Sequence, residues 1–84
     1  MKNYQYTVMD SSGLHARPAT MIAACLMGHK STAVVAVGDH IVDGKDVLAL
    51  MSLYAKAGDE LLFSIDGEDE EETITDLKNV LKKL

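Results

Sequence analysis

The chain has 84 residues, 48% of them hydrophobic, and a formal net charge of −5. That length holds a single domain, 1–84, with a core near the lower limit of self-sufficiency, and the composition, with one proline and no internal repeat, excludes a disordered or solenoid chain. The acidic balance argues against nucleic-acid binding and against anionic membrane surfaces, both of which draw on Lys and Arg to neutralise phosphates.

In chain order, Tyr4, Tyr6 and Val8 alternate with Asn3, Gln5 and Thr7, the period of a half-buried strand over Lys2 to Met9. After the turn signal DSSG, Ala16 to Met27 reads as a helix with Ala19, Ile22, Ala23 and Leu26 inward and Gly28 as its stop. Thr20, Met21, Ala24 and Met27 then face outward. Thr32 to Val37 is β-rich, and Gly38–Asp39 lets His40 to Val42 return as a hairpin partner. Asp46 is placed to cap a short helix over Val47 to Leu53. Gly58 resets the chain before a strand with Leu61, Phe63 and Ile65 on one face, ending at Asp66–Gly67. The rest, from Glu70, is an amphipathic helix with the stripe Ile74, Leu77, Leu81 and Leu84, acids Glu68 to Glu72 at its start and lysines at its end, as its dipole favours. The acidic run reads as a solvated helix start. The order βαββαβα predicts an α+β open-faced sandwich, a four-stranded, mostly antiparallel sheet with three helices on one face.

The stretch GLHARPAT, Gly13 to Thr20, carries the chemistry. Proline is tolerated in the first turn of a helix, so Pro18 sets His15 at or beside the cap and Arg17 inside that turn. Free amides and the positive end of the dipole make such a place an anion site, and Arg17 adds a fork of donors suited to phosphate. A neutral imidazole is a nucleophile, and these donors would receive the charge of a phosphoryl group placed on it. Spacing alone also allows a plain capping or surface histidine. No metal-ligand spacing occurs. Cys25 has no disulfide partner and no CxxC neighbour, which points to a reducing compartment. MKNYQYTVMD lacks an apolar signal core and no run approaches the roughly 18 apolar residues of a membrane span, so a soluble, cytoplasmic protein without membrane insertion is expected.

With its position after a first strand and at the opening of a first helix, GLHARPAT resembles the active-site segment of the HPr family, the histidine-containing phosphocarriers of the bacterial phosphoenolpyruvate:sugar phosphotransferase system. The likeness extends along the chain through MSL (Met51 to Leu53), AKAGDEL and DGEDEEE. It implies that His15 takes a phosphoryl group on Nδ1 from Enzyme I and hands it to sugar-specific enzyme IIA proteins. It also implies that Arg17 and the amides of Ala16 and Arg17 receive the phosphoryl oxygens, and that Pro18 fixes the helix start. Ser12 is close enough to assist, or else serves as a turn hydroxyl. No cofactor is implied beyond a transient phosphohistidine. The family's docking face maps onto Ala16, Thr20, Met21, Ala24, Met27, Val47, Leu48 and Met51, where thioethers can repack against several partners, unless Met21, Met27 and Met51 belong to the core. A carrier of this kind is expected to be a monomer and not an independent enzyme.

Two departures stand out. Ala24 and Met27 occupy positions where many relatives carry Lys or Arg, which weakens steering toward acidic partners. Asp46 stands where Gram-positive relatives carry a serine phosphorylated by a regulatory kinase, so this chain is expected to be blind to that kinase at this site. Asp46 either imitates the phosphorylated state, with one charge against about −1.5 to −2 for phosphoserine, or caps the short helix. The alternative function is a regulatory module of the same fold with little phosphotransfer, docking to a transporter or to a catabolite-control transcription factor. An unrelated sandwich with a structural His15 is the third reading. Elsewhere, His29 and His40 are expected at solvent-facing positions, Cys25 as a buried inert thiol, Tyr4 and Tyr6 as sheet residues, and Ser52 as a helix-packing residue.

Overall fold

A computed structural model describes every residue from Met1 to Leu84. Strands β1 (Lys2–Thr7), β2 (Thr32–Val37), β3 (His40–Asp43) and β4 (Glu60–Asp66) and helices α1 (Ala16–Met27), α2 (Val47–Met51) and α3 (Glu70–Lys82) follow one another as β1-α1-β2-β3-α2-β4-α3. The sheet order is β1-β4-β2-β3 and every pairing is antiparallel.

The register explains which side chains meet. Tyr4 opposes Phe63, which opposes Val35, and Tyr6 opposes Leu61, so a single face collects the large apolar groups of three strands. Ile22, Leu26 and Leu77 close over that face from α1 and α3, and all are fully buried together with Phe63, Leu61 and Ile65. The other face carries Gln5, Leu62, Ala36 and Ile41 in one cross-strand row and has no helix on it; Leu62 and Ile41 are exposed. Period-2 alternation in the strands and period-3.6 spacing in the helices thus supply one shared core, as the open-faced sandwich requires. No helix is long and apolar enough to cross a membrane.

Several expectations are corrected. Strand β1 ends at Thr7 and does not run to Met9; Val8 turns inward and exchanges hydrogen bonds with the β4 approach, its amide to the Asp59 carbonyl at 2.9 Å and its carbonyl from the Gly58 amide at 2.8 Å. Helix α2 ends at Met51 and not Leu53, because Ser52 caps it and the chain then reverses through Tyr54, which adopts the left-handed φ of +52°. Strand β3 gains Asp43, paired with Val34. His29 is not solvent-facing: its side chain is 13% exposed, with Nδ1 3.2 Å from Asp69 and Nε2 2.7 Å from Asp76. His40 and Ser52 are exposed, while Tyr4 and Tyr6 pack against the core.

The acidic start of α3 is accordingly more than a solvated run. Asp69 accepts from the amides of Lys30 and Ser31 at 3.0 and 2.9 Å and from the Ser31 hydroxyl, and so fastens the α1–β2 loop to α3. Those bonds, the Ser31 hydroxyl foremost and His29 among them, hold the Asp69 carboxyl far below the usual carboxylate range. Glu70 pairs with the N-terminal ammonium at 3.0 Å.

Candidate functional site

The loop from β1 to α1 sets His15 in place by backbone contacts. Gly13 adopts φ +71°, and a Cβ there would lie 2.3 Å from the Ala55 carbonyl oxygen. Glycine therefore serves twice, for its left-handed conformation and for the close approach. That approach lets the Leu14 amide donate to the same Ala55 carbonyl at 2.9 Å, and Leu14 is buried beside it. The loop ahead of α1 is thereby pinned to the segment that follows α2.

His15 is the N-cap of α1, with extended backbone and no capping hydrogen bond from its side chain. Its carbonyl takes the Ala19 amide at 3.1 Å, the first bond of the helix. The amides of Ala16 and Arg17 precede any carbonyl that the helix can offer, and Pro18 has no N–H to add, so two donors point outward beside the ring. Pro18 is buried and holds the helix start against the core. The ring is thus not spent on the cap and stands at the end of a helix whose first amides lack partners.

A cleft of about 220 Å³ gathers Asp10, His15, Arg17, Pro18, Met21, Lys83 and Leu84. Arg17 is exposed and makes no ion pair. Lys83, from the end of α3, adds a second cation at the cleft. The ring Nε2 lies 3.2 Å from Asp10 Oδ2, a contact that reading the sequence missed. The amide of Ser12 donates to Asp10 Oδ1 at 2.8 Å, so the carboxylate is fixed within its own turn. The Ser12 amide, and after it the His15 ring, hold the Asp10 carboxyl below its usual range. Ser12 takes part through its backbone; its hydroxyl makes no hydrogen bond within the chain.

The residues expected to form a docking face divide. Ala16, Thr20, Ala24, Met27 and Leu48 are exposed, Met27 by 64% and Leu48 by 77%. Met21 is half-buried at the cleft, and Val47 and Met51 are partly buried against the core, so the thioether of Met51 also has a packing role. Asp46 lies at the N-cap of α2 and accepts from the Ala49 amide at 3.1 Å, the geometry of a helix cap. Cys25 is half-buried rather than buried; burial, with Asp76 nearby, pushes its thiol up. No group of His, Cys, Asp and Glu side chains is arranged to hold a metal ion.

Residues 2–83 match the family model described as the PTS HPr component phosphorylation site. The phosphocarrier protein HPr of Mycoplasma pneumoniae is 40% identical over 85 residues, covering 99% of this chain and 96% of that one. A multiphosphoryl transfer protein of Xanthomonas campestris is 35% identical over 83 residues; the match takes in 99% of this chain and spans 10% of that protein's length. Among solved structures, HPr-C-His from Thermoanaerobacter tengcongensis superposes with a TM-score of 0.91 at 30% identity, covering 99% of this chain and 93% of that one. The chain belongs to the HPr family of the phosphotransferase system.

Proposed function

We propose that the protein is a phosphocarrier, taking a phosphoryl group on His15 Nδ1 from phosphorylated Enzyme I and passing it to enzyme IIA proteins in sugar uptake, in the cytoplasm. One observation carries this reading: His15 occupies the cap of α1 without capping it, beside the unpartnered amides of Ala16 and Arg17. A phosphoryl group on Nδ1 would bring oxygens to those amides, and the Arg17 guanidinium would supply a fork of donors to the same oxygens. The two amides are held by the helix start before the group arrives, so little backbone reorganisation accompanies transfer. The carrier needs no cofactor of its own, because the bond energy arrives with the phosphoryl group. The cleft and the exposed outer side of α1 running from it to Met27, with exposed Leu48 of α2, would form the surface on which Enzyme I and then an enzyme IIA dock.

The test is the intact mass after incubation with phosphoenolpyruvate and purified Enzyme I, for the protein and its His15→Ala variant. One phosphoryl adduct is expected, acid-labile, alkali-stable and absent from the variant, whose thermal melt stays near that of the parent. An unmodified parent with several Enzyme I sources would refute the carrier reading and leave the regulatory module.

A further inference from the structure

We propose that Asp10 is a positioning residue for transfer at His15, holding the ring proton on Nε2 so that Nδ1 presents its lone pair to phosphorus. The inference rests on the phosphocarrier reading and adds to it a residue outside GLHARPAT.

A carboxylate only accepts, so the ring nitrogen facing it must carry hydrogen. Nε2 lies 3.2 Å from Asp10 Oδ2. A neutral imidazole has one N–H, and with it on Nε2 the other nitrogen is left as a nucleophile. Asp10 is itself immobilised: Oδ1 takes the Ser12 amide and its backbone carbonyl takes the Gly13 amide, each at 2.8 Å. No lysine or arginine pairs with it, although Arg17 and Lys83 share the cleft. The turn therefore aims one free carboxylate oxygen at one ring nitrogen.

The step balances without a base. Nδ1 forms its bond to phosphorus as the donor's bond to phosphorus breaks, and that electron pair stays on the donor. The Nε2 proton stays where it is, and the phosphorylated ring carries a formal positive charge against the Asp10 carboxylate. On delivery, the N–P bond breaks with its electrons returning to Nδ1, and the ring departs as neutral imidazole, a far better leaving group than imidazolate. One contact thus serves both directions of the relay.

The Asp10→Asn variant keeps an oxygen for the Ser12 amide and turns a donor NH₂ toward Nε2, which reverses the preference of the ring. In ¹⁵N spectra of the neutral ring, the parent is expected to show the proton on Nε2, and the variant a shift of it toward Nδ1. Phosphoryl uptake from Enzyme I is expected to slow by about tenfold, the scale of one charge-assisted hydrogen bond at a half-exposed site. Asp10→Ala, which removes the carboxylate without replacing it, should slow uptake similarly if the Asn variant fails to fold. Unchanged ¹⁵N shifts and unchanged uptake in a folded variant would overturn the role of Asp10. A parent that takes no phosphoryl group would overturn the carrier reading instead, and the ¹⁵N comparison would still judge the Asp10 contact.

Discussion

Replacing Gly13 by alanine probes the link between loop packing and the site. Two costs add. Left-handed backbone at φ +71° costs a residue with a Cβ roughly 1–2 kcal/mol. The new Cβ would also stand 2.3 Å from the Ala55 carbonyl oxygen, a backbone atom that cannot swing aside. Relieving the overlap separates that oxygen from the Leu14 amide, now 2.9 Å away, and a buried amide left without its partner costs about 1–3 kcal/mol. Gly13→Ala should therefore lose roughly 2–5 kcal/mol, against a total of about 5–15 kcal/mol for a small domain. At about 4–8 °C per kcal/mol, the midpoint falls by at least roughly 8 °C in a circular-dichroism melt. Gly38→Ala is the control, since Gly38 also has a left-handed φ, +58°, but nothing lies within 4 Å of a Cβ there. It should lose only the backbone part, about 1–2 kcal/mol. Equal losses at the two glycines would refute the close approach to Ala55 as the reason for Gly13.

Two further outcomes follow from side chains that bind backbone amides. Asp69 has its folded pKa depressed by Ser31, Lys30 and His29, so its stabilisation is present above the unfolded value near about 4 and is lost as pH falls through the lower folded value. Asp69→Asn should be less stable at neutral pH, and its melting temperature should fall less than that of the parent as pH drops below about 4; parallel acid limbs in thermal scans would show that Asp69 is not the group responsible. Asp46→Ala should lose about 0.5–2 kcal/mol through the cap to Ala49, and Asp46→Ser should recover most of it, because serine caps as well. Phosphoryl uptake by both variants should match that of the parent; a change in uptake without a change in stability would favour the phosphoserine-like role over the cap.

Elements whose side chains repeat locally were legible in the sequence. The Tyr4–Tyr6 alternation, the Ala19–Ile22–Ala23–Leu26 spacing and the Leu61–Phe63–Ile65 face all bury as expected, because each pattern states its own period. The helix start at Ala16 and the Asp46 cap were legible too, since proline and a capping acid act on their immediate neighbours. Non-local pairing was not. His29 meets Asp69 and Asp76 only because α3 packs beside the exit of α1, and nothing within residues near His29 signals those partners. Asp10 is intermediate: it is five residues from His15, and DSSG signals a turn without by itself stating where the carboxylate goes. An aspartate accepting from the amide two residues on is a known turn geometry, and that signal could have placed it beside the helix start.

The net charge of −5 describes the whole chain poorly at the one place where it matters. Helices α1 and α3 run in opposite directions: the start of α1 shares a cleft with Lys83 at the end of α3, whereas the exit of α1 meets Asp69 at the start of α3. Two helices of 12 and 13 residues separate these ends by roughly 18 Å at about 1.5 Å per residue. Physiological salt screens exposed charges over about 8 Å, so the acids from Glu68 to Glu72 are felt only weakly at His15. Among the side chains that line the cleft the balance is instead Arg17 and Lys83 against Asp10, with the unpartnered amides and the helix dipole adding to the positive side. The chain can therefore be acidic overall and still offer an anion a favourable place at one pole. Ala24 and Met27, exposed on the outer side of α1, bring no charge of their own and leave the field at His15 to residues that touch the cleft.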